Sequence, residues 1–290
     1  MSTVLAFAVA MAVTGAMFIA VGSALQERVA VRSWTLGGGQ LRFFLRLVKQ
    51  PRWLLGAAFA GAGVALHVVA LSFGPVSIIQ PSGTTGLLFA VITKAVLDRR
   101  RIRLPELAGS MAIVVGLGGL LLALPHTPKD PVLSLPPALL LTVVTLGLNA
   151  AAMAVSWLVV SGSAKAIALG LAAGVTFGVG SALVGVVGHR AVADPAAVLD
   201  WLTLAIVVLL SIGGIAQQHA YRMRRFALAF AMLEISDPVA ASSVGVLVLG
   251  EPMPETALRT ASMGLSAAVI VVGVVVLVRS YAAVNVAEKS

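Results

Sequence analysis

The sequence predicts an all-α polytopic membrane protein on three observations: 59% of residues are apolar and only 11% charged, long stretches carry no charge at all, and the basic residues are placed unevenly along the chain. A soluble domain carries about 25% charged residues, so this composition cannot cover a water-facing surface. No Asp, Glu, Lys or Arg occurs at 1–26, 53–93, 107–128, 131–164, 166–189, 201–221 or 260–278. Each stretch can cross a bilayer, which takes about 20 apolar residues per helix, and 53–93 can cross twice. The runs are continuously apolar rather than alternating, which excludes the strands of a membrane barrel. The N-terminal run lacks the basic segment of a cleaved signal and reads as a retained first helix.

Cutting at charged and Pro/Gly-rich breaks gives spans near 3–25, 53–73, 75–97, 104–124, 135–160, 166–188, 201–221, 226–249 and 257–279. That is nine helices, or ten if the 27–52 loop contains a further membrane segment. The least marked divisions are Phe73-Gly74-Pro75 and Ser161-Gly162-Ser163.

Assigning alternate loops to opposite sides separates the charges. One side collects Arg28, Arg32, Arg42, Arg46, Lys49 and Arg52, then Arg99, Arg100, Arg101 and Arg103, then Lys165, Arg222, Arg224, Arg225, Arg279 and Lys289. The other holds Lys129, Arg190 and Arg259, while Lys94 falls inside a span close enough to its end to snorkel. Cytoplasmic loops collect Lys and Arg, so the N-terminus is expected outside and the C-terminus in the cytoplasm of a bacterial inner membrane. The net charge of +9 is thereby topological and does not point to nucleic acid. In the cytoplasmic loop 27–52, Leu41, Phe44, Leu45 and Val48 share one helical face and Arg42, Arg46 and Lys49 the other. This pattern predicts an amphipathic helix on the leaflet surface, with Gly37-Gly38-Gly39 as a hinge before it.

Two segments look alike: Gln80-Pro81 leading to Leu97-Asp98, and Asp237-Pro238 leading to Gly250-Glu251. In each, a polar residue and a proline interrupt an apolar span, and a charged turn and a last Gly-containing span follow. The chain then divides into a first half at 3–124, a linker helix at 135–160 and a second half at 166–279. The odd linker makes the second half enter from the opposite side, as in inverted-repeat transporters, whose sites lie at broken helices near the midplane.

The segment Ile215-Ala-Gln-Gln-His-Ala-Tyr-Arg, continuing to Ser236-Asp237-Pro238 and Val248-Leu249-Gly250-Glu251, resembles the second half of the drug/metabolite transporter (DMT) superfamily, EamA-type. The stretches Ser23-Ala24-Leu25-Gln26-Glu27-Arg28 and Phe73-Gly74-Pro75-Val76-Ser77-Ile78-Ile79-Gln80-Pro81-Ser82-Gly83 look more like the NIPA-type magnesium transporters of that superfamily. The resemblance implies an inverted-repeat bundle that moves a small solute or ion. The first-half turn Leu97-Asp98-Arg99-Arg100-Arg101 departs from it, lacking the usual Gly-Glu.

Glu234 and Asp237 are acidic residues inside an expected span, one turn apart on one helix face. A carboxylate at the bilayer centre costs about 2.5–3.5 kcal/mol and generally marks function. Pro238 is expected to break the helix and free carbonyls one turn back, and two carboxylates with loose carbonyls can hold a cation or exchange a proton. The alternative is an interfacial turn, or neutralisation by Arg222, Arg224 or Arg225. Gln80 and Pro81 hold the matching place in the first half. Gln217, Gln218 and His219 end the seventh span, and His67 lies mid-span in the second, where it is either a packing residue or a proton carrier. Asn149 is expected to bond between helices, and Glu251 and Glu255 to cap or face water at the outer turn.

The expected function is a secondary-active transporter of a metabolite or drug, with or without proton coupling and without a cofactor. The alternatives are a magnesium transporter of NIPA type, with Glu234 and Asp237 as metal ligands, and a non-transporting scaffold. No nucleotide-binding motif, catalytic triad or metal-spaced cluster supports an enzyme, and the absence of cysteine removes thiol chemistry. The partners implied are the bilayer and the solute, and the reading allows a homodimer.

Overall fold

The computed structural model describes residues 3–37, 39–73, 76–124, 133–250 and 256–287. In order along the chain, the helices are α1 (Thr3–Thr35), α2 (Gly39–Val48), α3 (Pro51–Phe73), α4 (Val76–Gly83), α5 (Gly86–Leu97), α6 (Leu104–Ala123), α7 (Leu135–Leu158), α8 (Gly162–Ala193), α9 (Trp201–Tyr221), α10 (Phe226–Leu247) and α11 (Ala257–Ala287). A short 3₁₀ turn at Pro195–Leu199 joins α8 to α9, and no strand occurs among the described residues. Eight of the helices are long and apolar enough to cross a membrane, so the protein is an all-helical, multi-pass membrane protein. Hydrocarbon offers backbone groups no partners, and only helices satisfy each N–H and C=O within their own segment.

Eight membrane-length helices stand where nine spans are expected. Within the expected span 75–97, the described residues 76–97 form two pieces, α4 and α5, of about 12 and 18 Å, each short of the roughly 30 Å hydrocarbon core. The cut falls at Gly83-Thr84-Thr85, two residues beyond Pro81. There the Thr84 and Thr85 amides close tight turns onto Pro81 O and Ser82 O. The hydroxyls of Thr84 and Thr85 donate to the same two carbonyls at 2.7 Å, and Ser82 Oγ donates to Ile78 O at 2.8 Å. Hydroxyls thus replace the water that a break in a soluble helix recruits.

A second difference lies at the end of α1. The charges at 27 and 28 do not stop the helix, which continues to Thr35 and reaches about 50 Å. Only Gly39–Val48 of the expected 27–52 loop is a separate helix. The hinge before it is real: Gly37 and Gly39 have φ of +68° and +77°, a region in which glycine carries no steric cost, while Gly38 lies outside the described residues. The buried residues of α2 are Phe43 and Leu47, whereas Leu41, Leu45 and Val48 are exposed. Phe43 packs edge-on against Trp34 of α1 at 5.8 Å. Arg46 turns back to donate to Gly37 O at 2.6 Å and Ser33 O at 3.2 Å. The helix is therefore tied to α1 through Phe43 on Trp34 and through the Arg46 guanidinium.

The helices group into two compact bodies, the first holding Met1–His126, Tyr221–Ala231 and Pro254–Ser290, the second Thr127–Ala220 and Met232–Met253. In the first body, α1 and α3 run antiparallel with their backbones in contact at two glycine pairs. A Cβ on Gly63 would lie 2.5 Å from Gly15 O, and one on Gly56 would lie 2.7 Å from Gly22 O. The same device joins α6 to α11, where a Cβ on Gly109 would sit 2.9 Å from Gly273 O and one on Gly116 2.9 Å from Ser266 O. Lipid is as apolar as leucine, so membrane helices gain little by hiding side chains from it and associate through close van der Waals contact at small residues. In the second body the core is Leu183, Val186, Leu202, Leu209 and their neighbours. Asn149 of α7 donates to Thr176 Oγ1 of α8 at 2.9 Å, the interhelical bond expected of it.

Gly63→Val is expected to destabilise the first body by about 1–3 kcal/mol, the usual cost of overpacking, read as a lower midpoint in detergent melts. Gly61→Val, on the same helix with nothing within 4 Å of its Cβ position, should leave the midpoint unchanged. Equal effects of the two substitutions would contradict the glycine-crossing account.

Candidate functional site

In the second body, α10 lies along α8 with their backbones almost touching. A Cβ on Gly174 would strike Ser236 Oγ and come within 2.5 Å of Leu233 O. One on Gly178 would strike Asp237 O and lie 3.0 Å from Ala241 N. The register advances in the same direction on both helices, so α8 and α10 are parallel. Ser236 is buried; its hydroxyl donates to Met232 O at 2.7 Å and has Leu171 O of α8 at 3.2 Å. Ala173 of α8, Ala216 of α9 and Leu233 of α10 form a buried apolar knot flanked by Phe177. Glu234 follows that knot on α10 and Gln217 follows it on α9.

Glu234 and Asp237 are half-buried at i and i+3 of a membrane-length apolar helix. The expected break at Pro238 does not occur: α10 is continuous from Phe226 to Leu247. The proline still acts locally. It has no N–H to give, so the carbonyl of Glu234 loses its helical donor. The helix packs tightly against Gly174 and Gly178 on either side of this turn. Among the described residues neither carboxylate is ion-paired.

The other expected residues fall as follows. Gln218 and His219 are buried near the end of α9, with His219 Nδ1 donating to Ile215 O at 2.8 Å; Gln217 is half-buried. In the first body, the half-buried imidazole of His67 lies over the α4–α5 break, where a Cβ on Gly83 would come within 2.8 Å of His67 Cε1. His67 and the Pro81–Thr85 turn are therefore one local constellation, and His67 makes no hydrogen bond among the described residues. Gln80 belongs to α4, but its side chain lies outside the described residues, as do Glu251 and Glu255. No group of three His, Asp or Glu residues able to hold a metal occurs among the described residues.

Four charged residues play parts that the sequence does not announce. Glu27 is 1% exposed, inside α1, so Glu234 and Asp237 are not alone within a membrane-length helix. Its partner is Lys94 of α5, at 2.6 Å. Lys94 does not simply snorkel to an interface; it joins Glu27 to Asp98, whose carboxylate is 3.1 Å away. Arg222, an expected neutraliser of the α10 carboxylates, instead stacks on Trp34, with its guanidinium carbon 3.6 Å from the ring centroid. Burial draws the Arg222 guanidinium down to about 10, still cationic at neutral pH, as a cation–π contact requires. Glu106, buried at the start of α6, is held by both terminal nitrogens of Arg100 at 2.7 and 2.8 Å.

A curated protein of Corynebacterium glutamicum, itself described as uncharacterized, is 28% identical to this chain over 283 residues, covering 94% of the chain and 95% of the relative. No known family profile matches the chain, and no solved structure matches it significantly.

Lys94→Met removes the partner of a nearly inaccessible carboxylate. Breaking a buried pair from one side costs about 3–5 kcal/mol, whereas neutralising both partners costs far less. Thermal unfolding in detergent is expected to show a large loss for Lys94→Met and recovery of most of it in the double substitution Glu27→Gln/Lys94→Met. A single variant as stable as the parent would contradict the pairing.

Proposed function

We propose that the protein is a secondary-active transporter of a small solute, in which Glu234 and Asp237 carry a proton or cation as part of the transport cycle. The observation that carries this reading is the pair of carboxylates without ion-pair partners among the described residues, one turn apart on an apolar helix locked against α8. An ionised group in hydrocarbon is compensated or it is not kept. A mobile cation or proton supplies that compensation and can be released, which a fixed arginine cannot.

Support also comes from the matching polar-proline segments of the two halves. In one, the helix opens under His67; in the other, it remains continuous while its proline strips a donor from Glu234. Placement in the DMT superfamily, an inverted repeat of 3–124 and 166–279, an outside N-terminus and an inner-membrane location belong to this proposal. Mg²⁺ is one solute to test, because it keeps several waters and needs only one or two carboxylates.

The experiment is flux into proteoliposomes, comparing Mg²⁺ with a panel of organic solutes, with and without an imposed proton gradient. Glu234→Gln/Asp237→Asn is expected to abolish flux of whichever solute the parent moves, by at least about 100-fold, given what two uncompensated charges cost in hydrocarbon. Membrane insertion and melting temperature should remain at parental values. Unaltered flux in the double variant would remove the two carboxylates from the mechanism, and no flux of any solute by the parent would favour a scaffold.

A further inference from the structure

An open cleft of about 240 Å³ lies in the first body at the charged end of α1, lined by Leu25, Arg28, Val29 and Arg32 of α1, Arg52 of α3 and Leu97 of α5. The α1 residues are spaced i, i+3, i+4 and i+7 and so share one helical face. Arg52 is in the first turn of α3 and Leu97 is the last residue of α5. The start of α3 and the end of α5 thus meet the charged last third of α1.

Among the described residues, the side chains of Arg28, Arg32 and Arg52 make no ion pair or hydrogen bond. The two carboxylates nearest along the chain, Glu27 and Asp98, are both held by Lys94. Three cations thus share an apolar wall without forming a salt bridge among the described residues, with Arg28 alone near enough to Glu27 to feel its charge, although like charges at i and i+4 on α1 repel one another. Arginine guanidinium forks match phosphate oxygens in geometry as well as charge, and basic clefts between membrane helices at the interface suit anionic headgroups. Leu25, Val29 and Leu97 offer glycerol and upper acyl carbons an apolar contact that a free anion cannot use.

We infer that the cleft is a site for one anionic phospholipid, whose phosphate sits among Arg28, Arg32 and Arg52 and whose acyl chains run down the α1–α5 surface. The site does not depend on Glu234 or Asp237 carrying a solute. Its distance in sequence from those residues lets the two ideas fail separately.

The test is native mass spectrometry of the delipidated protein titrated with phosphatidylglycerol or phosphatidylcholine. Phosphatidylglycerol is expected to bind the parent more tightly. Arg32→Gln/Arg52→Gln should weaken it by about 10- to 30-fold, the loss expected for two cations facing an anionic headgroup. Arg32→Lys/Arg52→Lys should retain most of the affinity. The charge-matched control Arg101→Gln/Arg103→Gln, at exposed positions that do not line the cleft, should bind as the parent does. Unchanged affinity in the cleft variant, or equal weakening in the control, overturns the site. Displacement of the lipid by millimolar inorganic phosphate would overturn the lipid assignment in favour of a soluble anion.

Discussion

Close backbone contact between helices, made where a side chain is missing, is the constraint on which this structure rests. In water an amphipathic face drives helices together; in hydrocarbon that drive is gone and contact must come from shape. Gly15, Gly22, Gly56 and Gly63 bring α1 and α3 together, and Gly109, Gly116 and Gly273 do so for α6 and α11. Gly174 and Gly178 bring α8 against α10 at the turn that carries Glu234 and Asp237. A Cβ at Gly178 would meet the backbone of Asp237 itself. The contact that makes the second body compact is thus also the one that fixes where its carboxylates stand.

The treatment of charge gives this arrangement its meaning. Glu27 and Asp98 are held by Lys94, Glu106 by two nitrogens of Arg100, and Asp200 lies 3.6 Å from Arg190. Asp194 caps the 3₁₀ turn by accepting from the amide of Ala196. Each of these acids has a partner, including Glu27, which is buried inside α1. Glu234 and Asp237 lie well inside α10 without an ion pair among the described residues. The protein thus pairs the buried Glu27 and Glu106 and leaves without an ion pair, among the described residues, the two carboxylates on which the proposed exchange rests. In the first body, the three arginines that line the α1–α3–α5 cleft are the cationic counterpart.

Much of the architecture was legible in composition, because uncharged runs of 20 or more residues leave little choice but helix. What escaped the sequence depended on partners distant along the chain. Glu27 reads as a loop residue until α5 brings Lys94 to it from 67 positions away. Proline alone also proved a poor guide to helix breaks. The chain opens after Pro81 because Gly83, Thr84 and Thr85 follow and their hydroxyls cap the freed carbonyls, while beyond Pro238 come Val239, Ala240 and Ala241, which favour continuation. The cluster Pro-Ser-Gly-Thr-Thr was the available signal. Of the candidate residues, the i, i+3 relation of Glu234 and Asp237 followed from helical spacing, but the meeting of His67 with Gly83 required the tertiary fold.

The central claim is that the carboxylate face of α10 reaches an aqueous path within the membrane while its neighbouring faces do not. The chain has no cysteine, so single substitutions can be probed without background. A membrane-impermeant thiosulfonate applied to vesicles should modify Asp237→Cys, and leave unmodified both Ser236→Cys, packed on α8, and Val239→Cys, 42% exposed on a face expected to meet lipid. Modification of all three alike would place the segment in bulk water, and modification of none would bury it from solvent; either result contradicts the account.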